Sequence, residues 1–218
     1  MAVQDTQNAE GDAVGAKKRL LDAAEQVFGE RGFDGASIRD VTAKANCNLA
    51  AVNYHFGDKE TLYEEVFRRR LSEMRDRRLA SINSVMARQQ GITLEDIIRA
   101  DAEAFLEPFA DRTVSQRFLM LFTREMVEEH LPKGFFLDEM AIPIMNALGQ
   151  ALRSVCPFLT EQQSLMAIHS IIGQLVHTIH LKVMPEAEIL GQFDTKQVID
   201  HIVRFSAAGI RAYAMEAK

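Results

Sequence analysis

The 218-residue sequence predicts an all-α protein of about nine helices, divided between a small N-terminal helical module and a larger helical domain. Three observations carry this. Apolar residues recur at helical spacing along the whole chain, the side-chain pattern of helices that bury one face. There are only 5 prolines and few runs of alternating β-branched residues, so no strand is required. Residues suited to capping helices stand between the periodic segments. At 47% hydrophobic and 26% charged, the composition is that of a globular protein with a core.

The first helix runs from about Ala16 to Arg31, because Leu20, Ala24, Val27 and Phe28 fall at i, i+4, i+7 and i+8. Gly32 supplies a left-handed C-terminal cap, and Asp34-Gly35 makes a turn. Ser37 caps a short second helix that turns Ile38, Val41 and Ala45 inward. Asn46-Cys47-Asn48 forms a tight turn. Asn46 tolerates a left-handed backbone, Cys47 is a small hydrophobe for a buried turn, and Asn48 caps a third helix, Leu49 to His55. Asp58 caps a long fourth helix through Leu62, Val66, Phe67, Leu71 and Met74. Two short helices joined by a three-residue turn read as a helix-turn-helix. Further helices are expected near Thr93–Phe109, Thr113–His130, Leu137–Val155, Thr160–Val183 and Thr195–Met215. Gly91, Asp111-Arg112, Pro132-Lys133-Gly134, Cys156-Pro157 and Pro185 separate them, and Pro108 and Pro143 kink or restart helices.

The formal charge of -6 argues against a nucleic-acid partner until its distribution is considered. Residues 16–78 hold 13 basic and 11 acidic side chains, whereas residues 79–218 hold 12 and 17. Any DNA contact therefore belongs to the first third. Residues 1–15 are polar and acidic, lack a signal-peptide pattern, and are expected to form a disordered tail. The stretch Leu165–Met184 is interrupted by three histidines, Gln174 and Lys182, which suits a buried helix better than a membrane span. Cys47 and Cys156 make no CxxC motif, so a reducing cytoplasm is the expected location, and a structural role is expected for Cys47. No nucleophile–base pair or phosphate loop stands out, so an enzyme is not expected.

The third helix reads Leu49-Ala50-Ala51-Val52-Asn53-Tyr54-His55, followed by Phe56. Leu49, Val52 and Phe56, at i, i+3 and i+7, should anchor it. That leaves Ala50, Ala51, Asn53, Tyr54 and His55 toward a major groove. Asparagine pairs bidentately with adenine, an alanine methyl meets a thymine methyl, and Tyr54, His55 and Lys59 can donate to phosphates. Asn48 joins this set at the start of the helix.

Residues 16–62 resemble the DNA-binding domain of the TetR/AcrR family of transcription regulators. The matching residues are Leu20-Leu21, Ala24, Phe28, Gly32-Phe33, Ser37-Ile38, Arg39, Val41, Ala45, Tyr54-His55-Phe56, Lys59 and Leu62. The family's usual turn glycine is Asn46 here, and its usual alanine in the second helix is Thr42; both changes are sterically mild. The resemblance implies that Ser37, Tyr54, His55 and Lys59 hold phosphates and that Arg39, Ala51 and Asn53 face bases. It implies a homodimer on a double-stranded operator, with the last two long helices forming a four-helix bundle. It also implies a small-molecule effector that releases a repressor, with no other cofactor and no membrane partner. Domain boundaries are accordingly expected at 1–15, 16–62 and 63–218.

The remaining features divide between function and ordinary structure. The Thr160–Val183 helix is apolar almost all round. Leu165, Ile168, Ile172, Leu175, Val176 and Ile179, with Val198, Ile202 and Phe205 of the last helix, are the expected dimer interface. Met and Phe concentrate in the middle helices. Phe105, Met120, Phe122, Met126, Phe136, Met145 and His169 are candidate effector-pocket residues or plain core. Arg68, Arg69, Arg70, Arg75, Arg77 and Arg78 read as a solvated face paired with Glu64, Glu65, Glu73 and Asp76. His177 and His180 lie three apart, but no acidic or Cys partner at helical spacing completes a metal site, so interface or hydrogen-bonded histidines are expected.

Overall fold

A computed structural model describes residues 2–88, 90–109, 112–183 and 194–216. Among them are nine α-helices and no strand: α1 (Ala2–Gly35), α2 (Ile38–Ala45), α3 (Leu49–His55), α4 (Lys59–Met86), α5 (Leu94–Leu106), α6 (Arg112–Glu128), α7 (Ile142–Val155), α8 (Glu161–Val183) and α9 (Thr195–Glu216). The all-α expectation holds. Pro108 lies in a single 3₁₀ turn after α5, and Pro143 stands in the first turn of α7, just after a π turn at Leu137–Ala141. Asp111 and Pro185, expected separators, lie outside the described residues. No described helix is long and apolar enough to cross a membrane.

Residues 1–15 were expected to form a disordered tail; as described, α1 begins at Ala2. No proline interrupts this segment, and once Leu20 to Phe28 fix the helix, adding turns avoids the cost of nucleation.

The chain forms two compact units, residues 1–70 with 112–135, and residues 71–111 with 136–218. The expected boundary at 62/63 differs from this division, because α6 packs on α1 and belongs with the helix-turn-helix.

In the first unit, Leu20, Ala24, Val27 and Phe28 of α1 are buried with Val41, Ala45, Val52, Phe56, Leu62 and Val66. Gly32 has φ 73°, which opens the helix there and lets Phe33 stack against Phe28 and meet Tyr63 edge-on at 4.9 Å. The Tyr63 hydroxyl donates to the buried Glu125 carboxylate at 2.9 Å, and the Leu131 N–H donates to its other oxygen at 2.6 Å. Burial, reinforced by the Glu125 charge, raises the Tyr63 phenol above its ordinary range, so it remains a donor. Buried Glu25 accepts from both Arg69 and Arg70 at 2.7 Å.

In the second unit, α5 packs on α9, α7 and α8, and α8 lies against α7 and α9. Arg78 of α4 grips Asp101 of α5 through two hydrogen bonds of 2.8 and 3.0 Å, with side chains 3% and 0% exposed. The guanidinium also lies 5.0 Å from the Phe105 ring centroid. These pairs correct the reading of the arginines as one solvated face. Arg68 does pair with Glu64 and Glu65, and Arg75 with Asp76. Arg69 and Arg70 instead reach α1, Arg77 reaches Glu107, and Arg78 is buried. Spacing along one helix could not reveal partners supplied by another.

Of the residues expected at the dimer interface, Ile168, Leu175, Ile179 and Ile202 are buried within the subunit itself. Leu165, Val176 and Phe205 are exposed, and Ile172 and Val198 are half-buried.

Two stability outcomes follow from these contacts. Asp101→Ala leaves a guanidinium buried without its carboxylate and should cost about 3–5 kcal/mol in urea unfolding, while Arg78→Met combined with Asp101→Leu should recover most of it. Asn46, at φ 50° and ψ 49°, should tolerate glycine, whereas Asn46→Val should lower stability by about 1–2 kcal/mol in the same measurement.

Candidate nucleic-acid interface

The start of α2 is fixed by a reciprocal capping box. The Asp40 N–H donates to the Ser37 hydroxyl oxygen at 3.2 Å, and the Ser37 N–H donates to the Asp40 carboxylate at 3.1 Å. The Ser37 hydroxyl donates to the same carboxylate at 2.5 Å. That hydroxyl bond is the main cause holding the Asp40 carboxyl below its ordinary range, and Arg31 at 2.9 Å adds to it. A negative charge at the first turn of α2 is thus matched by a guanidinium.

The turn after α2 closes in the left-handed conformation expected of Asn46. The Asn46 N–H donates to the Ala43 carbonyl at 3.3 Å and the Cys47 N–H to the Thr42 carbonyl at 3.0 Å. Cys47 is half-buried, with its thiol 3.5 Å from the Ala45 carbonyl, consistent with a structural place. Asn48 then caps α3, its side-chain carbonyl accepting from the Ala51 N–H at 2.9 Å. Asp58 caps α4 by accepting from the Thr61 N–H at 2.7 Å, the bond that holds its carboxyl below the ordinary range.

These caps leave α3 as a seven-residue helix held from behind by Val52 and Phe56, both buried. Leu49 was expected as a third anchor and is not one, since it is 51% exposed. Side chains tilt toward the N-terminus of their helix, so the first residue of so short a helix projects past the core that Val52 and Phe56 reach.

The outer face carries the predicted residues. Ser37, Arg39, Asn48, Ala50 and Asn53 are exposed, and Tyr54 is 80% exposed. Ala51, His55 and Lys59 are half-buried. The Tyr54 and His55 rings lie 4.9 Å apart, edge to face, and the Lys59 ammonium lies 4.3 Å above the Phe33 ring centroid. Lys17 was not among the candidates. Its ammonium lies 5.8 Å from the Phe56 ring centroid, which places a cation of α1 beside the end of α3. The run Lys17-Lys18-Arg19, exposed at all three residues, was the available signal.

The candidate pocket residues are not gathered in one unit. Met120, Phe122 and Met126 stand on α6 of the first unit; Phe105, Phe136, Met145 and His169 belong to the second. Phe105 is buried beside Arg78, whereas Met120, Met126 and His169 are exposed. His177 and His180 are exposed too, and among the described residues no group of three or more potential metal ligands forms.

Comparison with known proteins agrees with this arrangement. Residues 20–66 match the profile of bacterial regulatory proteins of the tetR family, and residues 103–209 match that of the tetracyclin repressor-like C-terminal domain. The chain is 50% identical over 48 residues to the HTH-type transcriptional dual regulator CecR of Shigella flexneri, covering 22% of this chain and 21% of that one. It is 35% identical over 49 residues to IcaR, the HTH-type negative transcriptional regulator of the biofilm operon icaADBC in Staphylococcus aureus, covering 22% and 26%. The matches thus span about a fifth to a quarter of these relatives. The fold is shared over nearly the full length with a TetR-family transcriptional regulator from Mesorhizobium loti, at 17% identity, TM-score 0.69, and coverage of 92% and 96%. It is shared likewise with a TetR-like transcriptional regulator from Rhodococcus, at 18% identity, TM-score 0.63, and coverage of 90% and 96%. With both its helix-turn-helix and its C-terminal helices matched, the chain belongs to the TetR family of DNA-binding transcription regulators.

Proposed function

We propose that this protein binds a palindromic operator as a homodimer, setting α3 of each subunit in successive major grooves, and that a small-molecule effector releases it as a repressor. The observation that carries the first part is the outward row of Ala50, Asn53 and Tyr54 on a capped helix whose inner side is buried. A helix presented this way needs a surface with both base edges and flanking phosphates. Asn53 bonds a base, Arg39 reaches the groove from α2, and Tyr54, His55, Ser37 and Lys59 position the head on phosphates, with the Asn48 amide group free to donate beside them.

The dimer is supported by what α8 and α9 leave uncovered. Leu165, Met166 and Val176 on α8, and Phe205 and Met215 on α9, are exposed large apolar side chains. Gly173 and Gly209 stand among them, and a Cβ added at either would meet nothing within 4 Å. Small residues beside exposed apolar ones suit close approach of a second pair of helices, and a two-fold copy supplies it. Two reading helices must then lie about 34–36 Å apart, or a multiple of that distance. An effector acts by preferring a conformation with another separation, to the extent of its differential affinity. Repression accords with the negative regulation named for IcaR. The dual regulation named for CecR, the relative with the more similar head, favours activation at some promoters as the second reading.

Asn53→Ala should relax sequence preference and weaken operator binding by ~1–3 kcal/mol in gel-shift titrations, while Lys59→Ala should weaken all duplexes alike and reduce the salt slope by about 1. Parental binding by both variants would refute this contact map. Phe205→Glu combined with Val176→Glu should shift the protein from dimer to monomer in sedimentation velocity with its helical content retained.

A further inference from the structure

We infer that Leu49 is a specificity-determining residue, reading the C5 methyl group of a thymine in each operator half-site. This rests on the reading of α3 as the helix that enters the major groove. A lone exposed leucine on a protein surface means little. Leu49 differs by its position. Asn53, one helical turn further on, shares its stripe of the helix, and Ala50 and Tyr54 form the neighbouring stripe. All four are exposed, whereas Val52 and Phe56 take up the inner side. The Asn48 side-chain carbonyl, bonded to the Ala51 N–H, fixes the first turn and so the direction in which Leu49 leaves it.

The chemistry of the groove then selects the partner. Residues at the N-terminal end of a recognition helix lie nearest the base edges. Four residues advance a helix by about 6 Å, close to two base steps of 3.4 Å, so Leu49 and Asn53 meet different base pairs. Along the major-groove edge the thymine methyl is the one apolar group that projects into the groove; cytosine offers only a C5–H at that place, and the other groups a side chain meets are donors or acceptors. An isobutyl side chain pressed on a donor or acceptor would strip it of water and return nothing. Pressed on the methyl, it buries apolar surface on both sides. The small Ala50 and Ala51 beside it leave room for that approach.

Duplexes enriched from a random-sequence library by the purified full chain supply the probe. Each thymine in the enriched half-site is replaced in turn by deoxyuridine, which keeps the base pair and removes only the methyl. At one thymine per half-site, the parent protein should lose about fourfold in affinity, and about fifteenfold when both half-sites are changed. Leu49→Ala should bind the thymine and deoxyuridine duplexes equally, and Leu49→Gln serves the same purpose should the alanine variant lose helicity. Indifference of the parent protein to every methyl, or a methyl dependence that is unchanged at every thymine in both variants, would overturn the assignment while leaving the groove-binding helix intact. Failure to enrich any duplex would instead overturn the DNA-binding reading, and this inference with it.

Discussion

A helix of seven residues is too short to hold its shape in water, because the cost of nucleating it is never repaid by so few backbone bonds. α3 exists only because Val52 and Phe56 are buried behind it and because Asn48 and the Asn46 turn fix its entry. The same constraint makes it useful. Every large apolar group on the inner side is committed to the core, so the outer side is free to carry residues chosen for what they touch outside the protein. The caps at Ser37, Asn48 and Asp58 serve this end, placing three helix starts in quick succession without a flexible loop among them.

Charge is used more deeply than the formal balance suggests. Glu25 and Glu125 in the first unit and the Arg78–Asp101 pair in the second are all withdrawn from water. Burying a carboxylate is costly unless its oxygens are satisfied, and each of these is: Glu25 by two guanidinium groups, Glu125 by the Tyr63 phenol and the Leu131 amide, and Asp101 by both nitrogens of one arginine fork. Such pairs stabilise little relative to apolar replacements, but breaking one side is severe, so they reject packings that would separate the partners.

What the sequence disclosed and what it hid divide along the range of the interactions. Ser37, Asn46, Asn48 and Asp58 act on backbone groups two to four residues away, and the periodicity of Leu20 to Phe28 acts within one helix, so both were legible. The arginines of α4 were not, because Arg68 to Arg78, about three turns of one helix, find carboxylates on several different helices. Leu49 was misread because spacing predicts which residues share a stripe, not how far the core behind it extends. Which of the expected interface residues are buried within the subunit was hidden for a related reason. α8 is apolar almost all round, and only the packing of α7 and α9 decides that Ile168 and Leu175 face inward while Leu165 and Val176 do not.

The membership of α6 in the first unit bears on how this molecule can be taken apart. The polypeptide leaves that unit after Arg70 and rejoins it at Arg112, so the reading head is discontinuous in the gene. A fragment cut just after the helix-turn-helix would strand the Tyr63 phenol in an apolar setting and lay open the side of α1 on which α6 rests. A chimaera that exchanges only the first seventy codons would graft a foreign α1 onto this α6, and its folding would then depend on that new seam.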